Sequence, residues 1–249
     1  MSDRFDVCHP ITAKWEGGWS DHPDDPGGKT MYGITEGRWH EYQDKLKMKR
    51  TPVRTVTKAQ ALRFYRSEFW QGSGAPNLFP GVDLAVYDAS VNSGVSRGRK
   101  WLKASAGSND HSLTVKRICR ARLSFMQSLT IWKTFGKGWG RRVADVEVRG
   151  VAMALAAMGA TESRIKADAR AEAEAANNTS KSAGKKAATA AGGAVSSGAA
   201  PVVEPAAADP SALWLFGGLF LFLAIGAGIM IVRKRAADAR AEAYGKVAA

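Results

Sequence analysis

The chain has 249 residues, 45% of them hydrophobic, and a formal net charge of +13. That length holds one sizeable domain plus appendages, and its two cysteines, Cys8 and Cys119, have no metal-ligand spacing; they leave open one disulfide or two thiols. The charge is uneven: residues 1–160 carry 25 Lys/Arg against 15 Asp/Glu, a net of +10, and the remaining 89 carry 11 against 8, a net of +3. A basic folded region calls for a polyanionic partner, which is nucleic acid, an anionic membrane surface or an acidic wall polymer. Seven of the eight Trp lie between Trp15 and Trp139, so the same region is rich in flat aromatic surface suited to sugars or bases.

The first residues, MSDRFDVCHPITAKWEGG, hold no apolar run of signal-peptide length. Strand signals are thin, and MYGIT predicts a small hairpin near residues 30–35. Thr57 is placed to cap a helix over TKAQALRFYRSEFWQG, with Ala59, Leu62, Tyr65 and Phe69 on one face. DLAVYDASVNSG turns Ala85, Val86 and Ala89 inward and stops at Gly94. Ser112 or Thr114 opens a longer helix whose apolar stripe is Ile118, Leu123, Phe125, Met126 and Leu129. A further helix, VADVEVRGVAMALAAMG, ends on Gly159. The fold class expected of residues 1–160 is therefore mainly α.

Composition then changes. Residues 161–176 are charged and alanine-rich, the pattern of a solvated helix. Residues 177–212 are mostly Ala, Gly, Ser, Lys and Pro, too poor in large apolar side chains to fold, and predict a flexible linker. The run LWLFGGLFLFLAIGAGIMIV at 213–232 is 20 apolar residues without a charge, which matches the ~30 Å hydrocarbon thickness of a bilayer and predicts a single transmembrane helix. Ala224 and Gly228 form a small-xxx-small pair that could seat a second helix and give weak self-association. Glu204 and Asp209 precede the run, and Arg233, Lys234 and Arg235 follow it, opening a basic tail at 233–249. Under the positive-inside rule this tail is cytoplasmic and the globular region periplasmic, at a bacterial inner membrane. The missing signal peptide keeps the opposite arrangement open, with the domain cytoplasmic until the membrane is breached.

Residues 15–35, WEGGWSDHPDDPGGKTMYGIT, concentrate four carboxylates, five glycines and two Trp. Glycosidic cleavage requires a carboxylic acid that donates to the leaving oxygen and a second polar group that handles water or the cationic transition state. Glu16 lies among apolar neighbours able to desolvate it, which favours the protonated acid. Asp25 follows nine residues later and Thr30 five after that, with Pro23, Pro26, Gly27 and Gly28 turning the backbone between. Asp21 and Asp24 compete with Asp25 for the second role. His9, His22, His40 and His111 share no metal-binding spacing, so no metal and no cofactor is expected.

The spacing of Glu16, Asp25 and Thr30 resembles the pattern of phage-type lysozymes, with four residues in the Asp–Thr gap where that pattern commonly has five. EGGWSDHPDDPGGKTMYGIT is more closely similar to the EGG(Y/W)-x-(N/D)…DPGG-x-T-x-(Y/K)-GIT signature of the glycoside hydrolase family 108 muramidases, which include phage endolysins and bacterial secretion activators. YDASVNSG, ending at Gly94, and WKTFGKGWGRR, at 132–142, also resemble later segments of that family, the last in its peptidoglycan-binding part. The resemblance implies a lysozyme-like helical domain, with a catalytic region at 1–95 and a helical, peptidoglycan-binding part at 96–160. It implies Glu16 as general acid, Asp25 and Thr30 as the groups that position or activate water, and Tyr32 and Asn92 as saccharide contacts. The expected activity is hydrolysis of the β-1,4 bond between N-acetylmuramic acid and N-acetylglucosamine, in phage lysis or in envelope remodelling and secretion. The alternative is a non-catalytic tether between membrane and peptidoglycan. Nucleic-acid binding has only the charge in its favour, because no helix-turn-helix, zinc module or RNP-like motif is present.

Overall fold

A computed structural model describes residues 3–21, 28–196 and 210–249, with the side chains of 190–227 outside that description. The chain divides into two compact units, Met1–Ser124 with Val146–Ala160, and Phe125–Asp145 with Thr161–Ala249.

The first unit is built around one helix. α1 (Phe5–Ala13) buries Phe5, Cys8 and Thr12, three and four residues apart and therefore on one face. Strands β1 (Thr30–Met31) and β2 (Ile34–Thr35) pair antiparallel, Thr30 with Thr35 and Met31 with Ile34, which is the hairpin expected near 30–35. Thr35 then caps α2 (Glu36–Lys45), its hydroxyl accepting from the Arg38 amide. α3 (Lys58–Phe64) opens on a full capping box between Thr57 and Gln60. At its end the helix widens into a π turn, Tyr65–Gln71. The widened turn resets the face: Ala59 is exposed, and the core takes Ala61, Phe64, Tyr65, Phe69 and Trp70 instead.

α4 (Val82–Ser93) is the centre. Every residue from Val82 to Ser90 is buried, so its apolar pattern has no exposed side, and it stops at Gly94 as expected. α1 and α5 (Val95–Ser105) pack on it. Its two buried carboxylates are both matched. Asp83 takes the Arg4 guanidinium at 2.6 Å and the amides of Gly81 and Leu84 at 2.7 Å. Asp88 takes Arg122 at 2.6 Å, both side chains essentially excluded from solvent. Arg122 comes from α6 (His111–Gln127), where Ile118 and Met126 are core while Leu123 and Phe125 are only half-buried; Leu129, expected on the same stripe, lies past the helix end. The last part of α7 (Trp132–Ala157) closes the unit with Val146, Val148, Val151 and Ala154. Cys8 and Cys119 remain thiols, both buried, and burial pushes the Cys8 thiol far above its ordinary range.

In the second unit, α8 (Glu162–Ser196) pairs with α9 (Pro210–Ala248). The linker expected from residue 177 is therefore helical as far as Ser196; residues 197–209 lie outside the described set. Alanine has the highest helix propensity, and a partner helix supplies burial that composition alone does not reveal. The contacts run antiparallel: Arg170 Nε donates to the Ala248 carbonyl, Arg240 to Glu172, and Ser180 to Asp238. The α8 side of the seam is small, with Ala169, Ala176, Ser180 and Ala183 buried, and the α9 side sets Ala237 and Ala248 beside the larger Tyr244, also buried.

Among the described residues no helix is long and apolar enough to cross a membrane. The apolar run at 213–232 falls within α9, and most of its side chains lie outside the described set.

Candidate active site

α1 ends by loosening into turns, the Trp15 amide donating to Thr12 and the Glu16 amide to Ala13, and this carries Glu16 just past the helix end. There it is half-buried. It lines a pocket of about 360 Å³ together with His9, Ala13 and Gly17 on its own segment, Tyr32 on the hairpin, and Tyr65 on the π turn. Asp6 and Lys58 supply charge at the same pocket.

The hairpin turn fixes the carboxylate's position. Tyr32 and Gly33 have φ of 52° and 75°, the positive pair that a two-residue primed turn demands. Tyr65 Oη donates to the Tyr32 carbonyl at 2.7 Å and ties the turn to the π segment. A Cβ on Gly33 would lie 2.4 Å from Glu16 Oε2 and 2.7 Å from Tyr65 Oη. Only glycine lets the turn approach the acid so closely, which is the physical reason for Gly in MYGIT. The hairpin is anchored on its other side as well. Ser20 and Thr30 exchange amide–carbonyl bonds of 2.9 Å, so the segment after Glu16 returns to pair beside β1.

Beneath Glu16 lies an aromatic and imidazole cluster. His9 Nδ1 and Tyr87 Oη are 2.7 Å apart, and the His9 ring stacks on Phe5 at 4.9 Å. Burial, opposed by Asp6 and aided by Lys58, lowers the His9 pKa to about 4, so the ring is neutral near pH 7. Burial drives the Tyr87 phenol strongly upward, with Tyr65, Asp88 and the Glu16 charge adding to it. Both groups therefore stay neutral near the Glu16 pocket, which His9 lines.

Of the residues expected from sequence, Glu16 and Tyr32 share the pocket. Thr30 stands on β1 two residues before Tyr32, and its hydroxyl donates to the Gly28 carbonyl at 3.0 Å. Asp25 and its competitor Asp24 lie outside the described residues. Asn92 is not on the Glu16 pocket. It sits near the end of α4, accepting from the Ser93 hydroxyl, while its neighbours Val91 and Gly94 line a second pocket of about 230 Å³ with Gly33, Ile34 and Tyr65. Gly33 and Tyr65 thus face both the acid and this second pocket. His9 and Tyr87 were not expected at the site. His9 had a signal, since it stands seven residues before Glu16, two helical turns away. Tyr87 had none, because only packing brings α4 beneath α1.

Residues 10–94 match the glycosyl hydrolase 108 family. A solved structure, that of Brucella abortus SagA, superposes with a TM-score of 0.54 at 29% sequence identity, covering 62% of this chain and 97% of that one. No curated protein matches the chain. The matched region ends at the close of α4, so it contains Glu16, the hairpin, Tyr65 and Tyr87 and stops short of the second unit. The matched region is mainly helical with one small hairpin, and its likeness is to a family of glycoside hydrolases.

Proposed function

We propose that the chain is a peptidoglycan muramidase that hydrolyses the β-1,4 bond between N-acetylmuramic acid and N-acetylglucosamine, with Glu16 as its general acid. One observation carries the reading: Glu16, within the family-matched region, sits at a pocket wall with its carboxylate pressed against the Gly33 turn. A general acid must be held within hydrogen-bond reach of the leaving oxygen, and a rigid primed turn limits the side chain's freedom. Tyr32 offers a ring to the sugar at the same pocket, and the pocket beyond Gly33 and Tyr65 continues a surface along which a glycan strand can run past Asn92. Asp25, with Thr30 at the hairpin's start, is assigned to water on the opposite face of the sugar. The basic surface favours the carboxylate-bearing wall. The uncharged run at 213–232, continuous with a helix that ends in Lys/Arg, is assigned to membrane anchoring at the bacterial envelope.

The test is a wall digest. The full chain in detergent and its Glu16→Gln variant are incubated with purified peptidoglycan, and released fragments are identified by mass. New reducing muramic acid ends from the wild type and none from the variant are expected. Binding without cleavage by either protein would overturn the enzyme reading and leave a tether between membrane and wall.

A further inference from the structure

We infer that the second unit carries a basic, aromatic collar that docks on an anionic phospholipid surface. This rests on the membrane anchoring proposed for residues 213–232. Two observations within the second unit lead to it.

The first is the level at which cations gather. Gly184 of α8 faces the side-chain carbons of Lys234 on α9. Lys185 and Lys186 therefore stand beside Arg233, Lys234 and Arg235, all exposed, where the apolar run ends. Beyond Lys186 the sequence carries no charge until Glu204. Cations gather at the C-terminal end of the apolar segment.

The second is a pocket of about 520 Å³ at that level, where Val232 and Arg235 meet Trp132, Lys133, Lys137 and Arg141 of α7. The three α7 cations recur every four residues and are exposed. Beside them Ile131 and Phe135 are about half exposed, at 52% and 51%, and Phe135 stacks on Trp139 at 5.8 Å. Gly136 has no Cβ because the Trp132 ring lies against it. Exposed aromatics interleaved with Lys and Arg suit the boundary between headgroups and acyl chains. Asp238 and Glu242 at the same pocket leave the cations in excess, so the favoured ligand is a phosphate-bearing, anionic headgroup.

The experiment uses the full chain. Flotation is measured with vesicles of phosphatidylcholine alone and with phosphatidylglycerol added, for the parent and for a Lys133→Gln/Lys137→Gln/Arg141→Gln variant. Expected are tighter binding to the anionic vesicles and a loss of roughly fivefold for each cation removed. Equal flotation on both lipids leaves the anchor standing and overturns the collar, and no flotation on either overturns the anchor itself. If the triple variant keeps its lipid preference and instead loses binding to peptidoglycan, the patch is a wall-binding surface.

Discussion

Replacing Gly33 with alanine tests the site at the point where backbone and acid meet. The added methyl would stand 2.4 Å from Glu16 Oε2, 2.7 Å from Tyr65 Oη and 3.1 Å from Glu16 Cβ, on a residue with φ of +75°. An ordinary carbon–oxygen contact is about 1 Å longer than the first of these. Part of the cost is conformational, about 1–2 kcal/mol for a side chain held in the left-handed region. The rest depends on which partner yields. Glu16 ends in a flexible, half-buried carboxylate, so it recedes more cheaply than the Tyr65 ring, which is core. An off-rotamer side chain adds roughly 0.5–1.5 kcal/mol. The total, about 2–3 kcal/mol, lowers Tm by several degrees for a chain of this size. Activity responds more steeply, because a displacement of about 1 Å at a catalytic group costs on the order of a hundredfold. Gly74→Ala is the control, since Gly74 has φ of +81° and open space where its Cβ would go. It carries the backbone penalty without touching the acid. Thermal melts and release of reducing ends from peptidoglycan are read side by side. A Gly33→Ala protein that melts lower but cleaves at the wild-type rate would refute the claim that this turn positions the acid.

Other consequences follow from the same structure. Arg122→Met leaves the Asp88 carboxylate buried without its guanidinium, and a loss of about 3–5 kcal/mol is expected in chemical denaturation; a loss below about 1 kcal/mol would show that solvent reaches the pair. His9 titrates near 6.5 when unfolded but only at about 4 in the fold, so the unfolded chain binds the extra proton between these values. Its contribution to stability is complete above about pH 6.5 and is lost as pH falls towards 4. Melting curves across that window should slope less for His9→Gln than for the wild type, and an unchanged slope would place the acid sensitivity elsewhere.

Much of this protein could be read in its sequence, because the signals concerned act over a few residues. The capping box at Thr57 and Gln60, the stop at Gly94 and the two-residue turn in MYGIT are determined by neighbouring side chains and by φ preference. Glu16 stood out for a related reason: a carboxylate, glycines and turn residues share one short run. Tertiary structure decided the rest. The π turn at Tyr65–Gln71 moved the buried face off Ala59, a change of register that no helical period announces. Tyr87 met His9 because α4, buried from Val82 to Ser90, packs against α1, and the end of the same helix left Asn92 off the Glu16 pocket. Residues 177–196 look like linker by composition, since alanine and serine bury little alone. They become a helix because α9 supplies a face against which Ser180 and Ala183 are buried. Local chemistry is written in adjacent residues, whereas burial is a property of pairs of elements far apart in the chain, and only folding chooses the pairs.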